Sequence, residues 1–232
     1  MCGRFALSIV GSELGDVLGV EPPPEYRPSW NITPDRKILI VRSGREGREA
    51  VLARWGFLGP WMSESNDPGR QINARLESAA QKPMFKAAFA KGRCIVPADG
   101  FFEWQKQPKG PSRPFFVRPA GHTLMLMAGL WRRNRLADGT LIDTVAILTR
   151  RADRTLEAIH PRMPVPVPDR LVEAWLVADP PPTWLVEELL VGAPDAPRLE
   201  IHEVGRAVND PRNDFPSLIE PVDPVDPAPR LL

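Results

Sequence analysis

Two cysteines in 232 residues, Cys2 and Cys94, are too few and too far apart to staple a fold. Neither sits in a metal-type spacing, and His122, His160 and His202 are too scattered along the chain to argue for zinc. Neither a metal nor another cofactor is therefore expected. No run approaches the roughly 18 apolar residues that a spanning helix needs, so no membrane partner is expected either. The start, Met1-Cys2-Gly3-Arg4-Phe5, lacks the apolar stretch of a secretory signal. These absences lead us to expect a reduced, cytoplasmic protein, and a monomer. Excess charge is missing too: the formal net charge of +1 does not by itself announce a nucleic-acid partner.

The charge that is there is unevenly spread. Residues 70–118 hold ten Lys/Arg against three Asp/Glu, whereas residues 203–226 hold six Asp/Glu against two Lys/Arg. A basic middle segment suits a phosphate-binding face, and equally a solvated surface that happens to be basic. With 43% hydrophobic and 25% charged residues, the chain has the composition of an ordinary soluble domain. Its length fits one large domain that buries a core without disulfides or metal. The 28 prolines are spread through loops and the tail, where they imply short, stiff connections.

Short stretches rich in Val, Ile, Leu and aromatics, punctuated by Gly, Pro or Asp, predict strands at Lys37–Arg42, Ala50–Phe57, Arg93–Pro97, Phe101–Trp104, Pro114–Arg118, Leu124–Trp131 and Thr144–Thr149. Helical spacing predicts helices at Ser12–Leu18 with Ser12 as cap, Leu76–Lys91 with a break at Pro83, Ala152–Ile159, Pro168–Val177 and Thr183–Leu190. Strands and helices do not alternate, which argues against a doubly wound fold. The expectation is a single α+β domain over residues 2–222, built on a curved, mainly antiparallel, barrel-like sheet flanked by short helices. The Pro-rich residues 223–232 are expected to form an extended, poorly ordered tail.

Cys2 follows Met1 and is small enough for the initiator to be removed. Removal leaves an α-amine and a thiol on adjacent carbons. With a pKa of about 7.7–8.0, an α-amine is partly neutral near pH 7.5, far more so than lysine. A neutral amine adds to an aldehyde to form a Schiff base, and the neighbouring thiol can close onto that imine as a five-membered thiazolidine. The same N-terminus also suits an N-terminal-nucleophile amidohydrolase, in which the cysteine attacks an amide and its own amine is the base. It equally suits a second residue without a role. Position 2 alone does not separate these.

Further segments stand in order behind the N-terminus: Trp30-Asn31-Ile32-Thr33-Pro34, Asn73-Ala74-Arg75-Leu76-Glu77-Ser78, Pro97-Ala98-Asp99-Gly100-Phe101-Phe102-Glu103-Trp104 and Ile159-His160-Pro161-Arg162-Met163-Pro164. Arg54-Trp55-Gly56-Phe57, Ala128-Gly129-Leu130-Trp131, Val208-Asn209 and Leu218-Ile219-Glu220-Pro221 add to them. With Cys2-Gly3-Arg4-Phe5 in front, the chain resembles the SRAP (SOS-response-associated peptidase) family from Cys2 to about Val222. It departs from the family pattern at Phe102, where tyrosine is common, and at Pro161, where aspartate is common. Motifs of the glutamine amidotransferases are not found behind Cys2.

The resemblance implies a protein that shields abasic sites in single-stranded DNA by linking Cys2 to the ring-opened deoxyribose as a thiazolidine. It also implies processing before Cys2, and a place at the nucleoid when bound to DNA. A Schiff base leads to β-elimination as well, so a lyase side reaction is compatible. The active-site positions fall on Cys2, Asn73, Glu103 and His160. An amide at Asn73 orients without titrating, a part-buried Glu103 can move protons, and His160 is poised near neutral pH. The structural alternatives are a helix cap for Asn73, an arginine partner for Glu103 and a hydrogen-bonded structural role for His160. DNA contacts are expected from Arg4, Arg75 and Arg162 as phosphate clamps, with salt bridges as their alternative. Trp55, Trp61 and Trp104 would stack on or wedge against bases, and Pro34 and Met84 would close an apolar rim. A non-covalent single-stranded DNA binding module stays open as a third reading. Cys94, inside an apolar strand, reads as core.

Overall fold

β-branched and aliphatic residues recur at the positions where this chain pairs with itself, and five such segments close into a ring. A computed structural model describes residues 2–62, 71–122 and 124–222. In chain order come β1 (Phe5–Leu7), α1 (Gly11–Leu18), β2 (Ser29–Ile32), β3 (Lys37–Gly44), β4 (Gly47–Trp55) and β5 (Asn73–Arg75). Then follow α2 (Leu76–Ala79), α3 (Pro83–Lys91), β6 (Arg93–Ala98), β7 (Gly100–Gln105), β8 (Arg113–Pro119) and β9 (Met125–Arg135). The chain continues with β10 (Leu141–Arg151), β11 (Arg162–Pro164), α4 (Asp169–Val177), α5 (Thr183–Val191) and β12 (Leu199–Glu203).

The ring runs β3-β4-β10-β9-β6 and back to β3. Four of its joints are antiparallel; the fifth is a parallel step that sets Thr144 of β10 against Arg54 of β4. Closure removes the sheet edges that would otherwise invite pairing with another chain. β10 runs on past the ring, and there β5 pairs with it in parallel and β11 antiparallel. A second, antiparallel sheet, β12-β8-β7-β1-β2, packs against the ring. Phe5 of β1 meets Trp55 of β4 edge to face, with centroids 5.2 Å apart, in the middle of that contact. The fold is therefore α+β, one domain, with curved and mainly antiparallel sheets and few short helices.

The structure departs from the sequence expectations in places that have local causes. Residues 154–159 form turns, not a helix. The Asp153 carboxylate accepts from the N–H groups of Thr155 and Leu156, both at 3.1 Å, and so offers the backbone an alternative to helix. Ser12 lies inside α1; the capping position is Val10, with no side-chain bond. The break expected at Pro83 is there, since Pro83 lacks an N–H and starts α3, but α2 already ends at Ala79, so the region holds two helices separated by residues 80–82. β1, β2, β5, β11 and β12, of three to five residues each, were not foreseen, being too short to show a period. The tail at 223–232 and the processing of Met1 lie outside the described residues. Among the described residues no helix is long and apolar enough to cross a membrane.

Candidate active site

Pairing in both sheets brings the four candidate groups together. β1 lies against β7 with Phe5 opposite Phe101, and Phe102 N–H donates to the Arg4 carbonyl at 2.9 Å. Residues 2–4 therefore run beside Glu103. On the other side, β10 holds Asn73 opposite Ile147 through β5, and Arg162 opposite Arg151 through β11. The extension of β10 thus gathers Asn73 and the turn carrying His160.

Asn73 Nδ2 donates to the Cys2 carbonyl at 2.8 Å, while its Oδ1 is buried with no hydrogen-bond partner among the described residues. Asn73 does not cap a helix: the capping position of α2 is Arg75, with no side-chain bond. Cys2 is fully buried, and its thiol lies 3.8 Å from the Arg4 carbonyl. Burial, and then the negative charge of Glu103, push the thiol well above its usual range, so it stays protonated at neutral pH. Glu103 is 4% exposed. Burial raises its carboxyl above the ordinary glutamate value, with the charge of His160 opposing. The two groups face each other, His160 Nδ1 lying 3.9 Å from Glu103 Oε1. His160 Nδ1 also lies 3.1 Å from the Arg162 N–H and 3.0 Å from the Arg162 carbonyl. A ring without a proton on Nδ1 accepts the first contact, and a ring with one, neutral or charged, donates to the second. The arrangement therefore sets a protonated thiol beside a carboxyl whose proton affinity burial has raised and an imidazole that faces it.

Around this group Arg4 is half-buried, and its Nη1 donates to Asn31 Oδ1 at 2.7 Å and to the Val208 carbonyl at 2.8 Å. Its guanidinium also lies 5.7 Å from the Trp104 ring centroid, and the Trp104 indole N–H donates to Asn209 Oδ1 at 2.7 Å. Arg162 donates to both carboxylate oxygens of Glu77, at 2.6 and 2.8 Å, and to the Thr149 carbonyl at 2.7 Å. Arg75 is exposed, and among the described residues its side chain makes no hydrogen bond or close ion pair, although its charge helps to hold the Glu77 carboxyl down. Pro34 and Met84 are half-buried, and Trp61 is 64% exposed. Trp55 is a correction. It is fully buried against Phe5 and donates its indole N–H to the Ile72 carbonyl at 2.8 Å, so no base can reach its ring. It instead supports the backbone just before Asn73. Cys94 is fully buried in β6, as its apolar setting implied.

Three side chains that the sequence reading had not singled out complete the surroundings. Asn31 is fully buried and donates to the Asp210 and Asn213 carbonyls at 3.2 and 2.7 Å, besides accepting from Arg4. Asn209 holds the Trp104 indole, and Glu77 holds Arg162. All three stand within the recurring segments, which was the available signal. A cleft of about 640 Å³ opens at the far end of β1, lined by Leu7, Tyr26 and Ile38 among others, and includes none of the four candidate groups. Among the described residues no group of three or more His, Cys, Asp or Glu is arranged to hold a metal.

A family model described as SOS response associated peptidase (SRAP) matches residues 1–211. The abasic site processing protein YoqW of Bacillus subtilis is 33% identical over 225 residues, spanning 95% of this chain and 99% of that protein. The abasic site processing protein YedK of Escherichia coli is 31% identical over 234 residues, covering 96% and 100%. The abasic site processing protein HMCES of Gallus gallus is 31% identical over 269 residues, covering 96% and 78%. Among solved structures, a Bacteroides thetaiotaomicron protein superposes with a TM-score of 0.82 at 19% identity, covering 95% of this chain and all of that one, and so shares the fold. A Bordetella bronchiseptica protein superposes with a TM-score of 0.76 at 28% identity, covering 88% of this chain and all of that one.

Proposed function

Because this chain belongs to the SOS response associated peptidase (SRAP) family, we propose that it processes abasic sites in single-stranded DNA through a covalent bond from its N-terminal Cys2. The observation that carries this reading is the convergence of Cys2, Asn73, Glu103 and His160 from four separate segments onto one point. Removal of Met1 frees the Cys2 amine. That amine attacks the aldehyde carbon of the ring-opened deoxyribose to give a carbinolamine, which loses water to become an imine. The thiol sulfur then bonds to the same carbon, and its proton ends on the nitrogen of the new thiazolidine ring.

A thiol held protonated by burial needs an acceptor as it attacks. Glu103, with its own carboxyl raised, is matched to take that proton and pass it to nitrogen. His160, nearer the solvent, is matched to protonate the departing ring oxygen. Asn73 holds the Cys2 carbonyl, and its free Oδ1 is an acceptor for the new amine. Arg75 and the exposed Trp61 offer a phosphate and a base contact, and Trp104 presents a half-buried ring beside Glu103. The imine, once protonated, is also the branch point to β-elimination, so ring closure competes with strand scission.

The test is a gel. Mature protein mixed with an abasic single-stranded oligonucleotide should give a heat- and SDS-stable shifted band without reductant. Cys2→Ala, or a tag before Cys2 that cannot be removed, should abolish the band while leaving non-covalent binding. A blocked N-terminus that crosslinked at the normal rate would overturn the reading. Binding without any stable band would instead indicate a non-covalent module, and hydrolysis of amide substrates an N-terminal-nucleophile amidohydrolase.

A further inference from the structure

We infer that Glu77 is a positioning residue, which holds Arg162 and, through it, the His160 imidazole in the arrangement that proton transfer requires. The inference deepens the abasic-site reading and rests on it for its kinetic consequence. Two segments carry the site's partners to Cys2: β5 brings Asn73, and the turn before β11 brings His160. Glu77 stands in α2, directly behind β5, and the Arg162 fork reaches it from β11 with bonds of 2.6 and 2.8 Å. This ion pair therefore ties the Asn73 segment to the His160 segment. Arg162 meets His160 on its other side, where its backbone N–H lies 3.1 Å from Nδ1 and its carbonyl 3.0 Å.

The contact differs from an ordinary surface ion pair, which contributes little. Glu77 is exposed, but the Arg162 side chain is only 17% exposed, and the bond to the Thr149 carbonyl fixes it from a third direction. Burial works against the Glu77 carboxylate, but the hydrogen bond from Arg162, a backbone hydrogen bond and the charges of Arg162 and Arg75 together hold Glu77 below the usual carboxylate range. The pair is therefore charged at neutral pH. A guanidinium in this position that lost its carboxylate would turn toward water and take the 160–162 backbone with it. A phosphate, by contrast, could reach the fork only by displacing a bidentate carboxylate.

The experiment compares the parent, Glu77→Gln and Glu77→Asp in single-turnover crosslinking over a range of abasic-oligonucleotide concentrations. Displacing reacting groups by about an ångström costs up to ~10²-fold, so Glu77→Gln should lower the rate at saturating DNA by roughly 10-fold or more. The half-saturating concentration should stay unchanged, and Glu77→Asp, which keeps the charge, should recover part of the rate. The His160 ring resonances, one set among three histidines, give a readout without DNA and should shift in Glu77→Gln. Unchanged rates and unchanged resonances would overturn the inference. So would tighter binding with faster crosslinking, which would make Glu77 a brake that phosphate displaces. Parallel loss of rate and affinity with a lowered unfolding midpoint in both variants would reduce Glu77 to a structural role. A parent that does not crosslink would count against the function itself, and the His160 resonances would still decide the positioning.

Discussion

A carboxylate on a surface is unremarkable, whereas the same group at 4% exposure changes both chemistry and stability. Burial raises the Glu103 carboxyl, so the folded chain holds that proton more tightly than the unfolded chain does. Folding is then favoured on the acid side, and the benefit is lost as pH rises from the ordinary glutamate value through the raised folded one. Glu103→Gln removes this dependence. Above that window the variant should be more stable than the parent in urea, while its crosslinking should slow by roughly 10²–10⁴-fold, the usual span for general acid–base catalysis. Parallel stability–pH curves for the two proteins would refute the buried-carboxylate account. The exposed Arg75 predicts something different. Arg75→Ala should weaken DNA binding and flatten its salt dependence by about one unit of log–log slope, as expected for one lost phosphate contact. An unchanged slope would remove Arg75 from the DNA face. Residue type alone could not separate this arginine from Arg4 and Arg162, since the difference lies in which partners the fold delivers to each.

Elements of three or four residues carry much of this site, and they hold their places through side chains from elsewhere. Asn31 is the clearest case. It sits in β2 and fastens the 206–213 segment through the Val208, Asp210 and Asn213 carbonyls while it orients Arg4. Asn31→Ala would take the Asn31 donor from the Asn213 carbonyl, while the Val208 and Asp210 carbonyls keep bonds from Arg4 and from the Asn213 N–H, so a cost of about 1–3 kcal/mol is expected for the one group left unsatisfied. Chemical denaturation should show a loss of that size, and Trp104, tied to the same segment through Asn209, should become more accessible to fluorescence quenchers. Wild-type stability with unchanged quenching would show that the segment is held by other contacts. The longer strands were legible because short runs of β-branched, aliphatic and aromatic residues between Gly, Pro and Asp declare themselves. The break at Pro83 was legible because a missing N–H has one local meaning. The 152–159 segment misled because its spacing suits a helix, while Asp153 captures the backbone first.

At the scale of the whole molecule, ring closure depends on close approach where strands cross. A Cβ built on Gly129 would stand 2.8 Å from Cys94 Sγ and 3.2 Å from Val96 Cγ2. Gly129→Ala should therefore destabilise by about 1–3 kcal/mol, the usual cost of overpacking. Adding Cys94→Ala removes the nearer atom and should recover part of the loss, a coupling that a double-mutant cycle measures directly. Additive effects would show that the ring gives way elsewhere. Composition and pattern sufficed for the class of fold and the main strands, because apolar runs are local properties, whereas the candidates Cys2, Asn73, Glu103 and His160 came from the family resemblance that the ordered motifs carry. They also suggested Trp55 as a DNA contact, because an indole reads the same whether it faces water or a core. Only the tertiary structure decided that Trp55 is a post behind Asn73, that Glu77 occupies the Arg162 fork, and that a closed ring extended by β10 gathers the site. Those outcomes depend on pairing and burial between segments tens of residues apart, where no local period carries information.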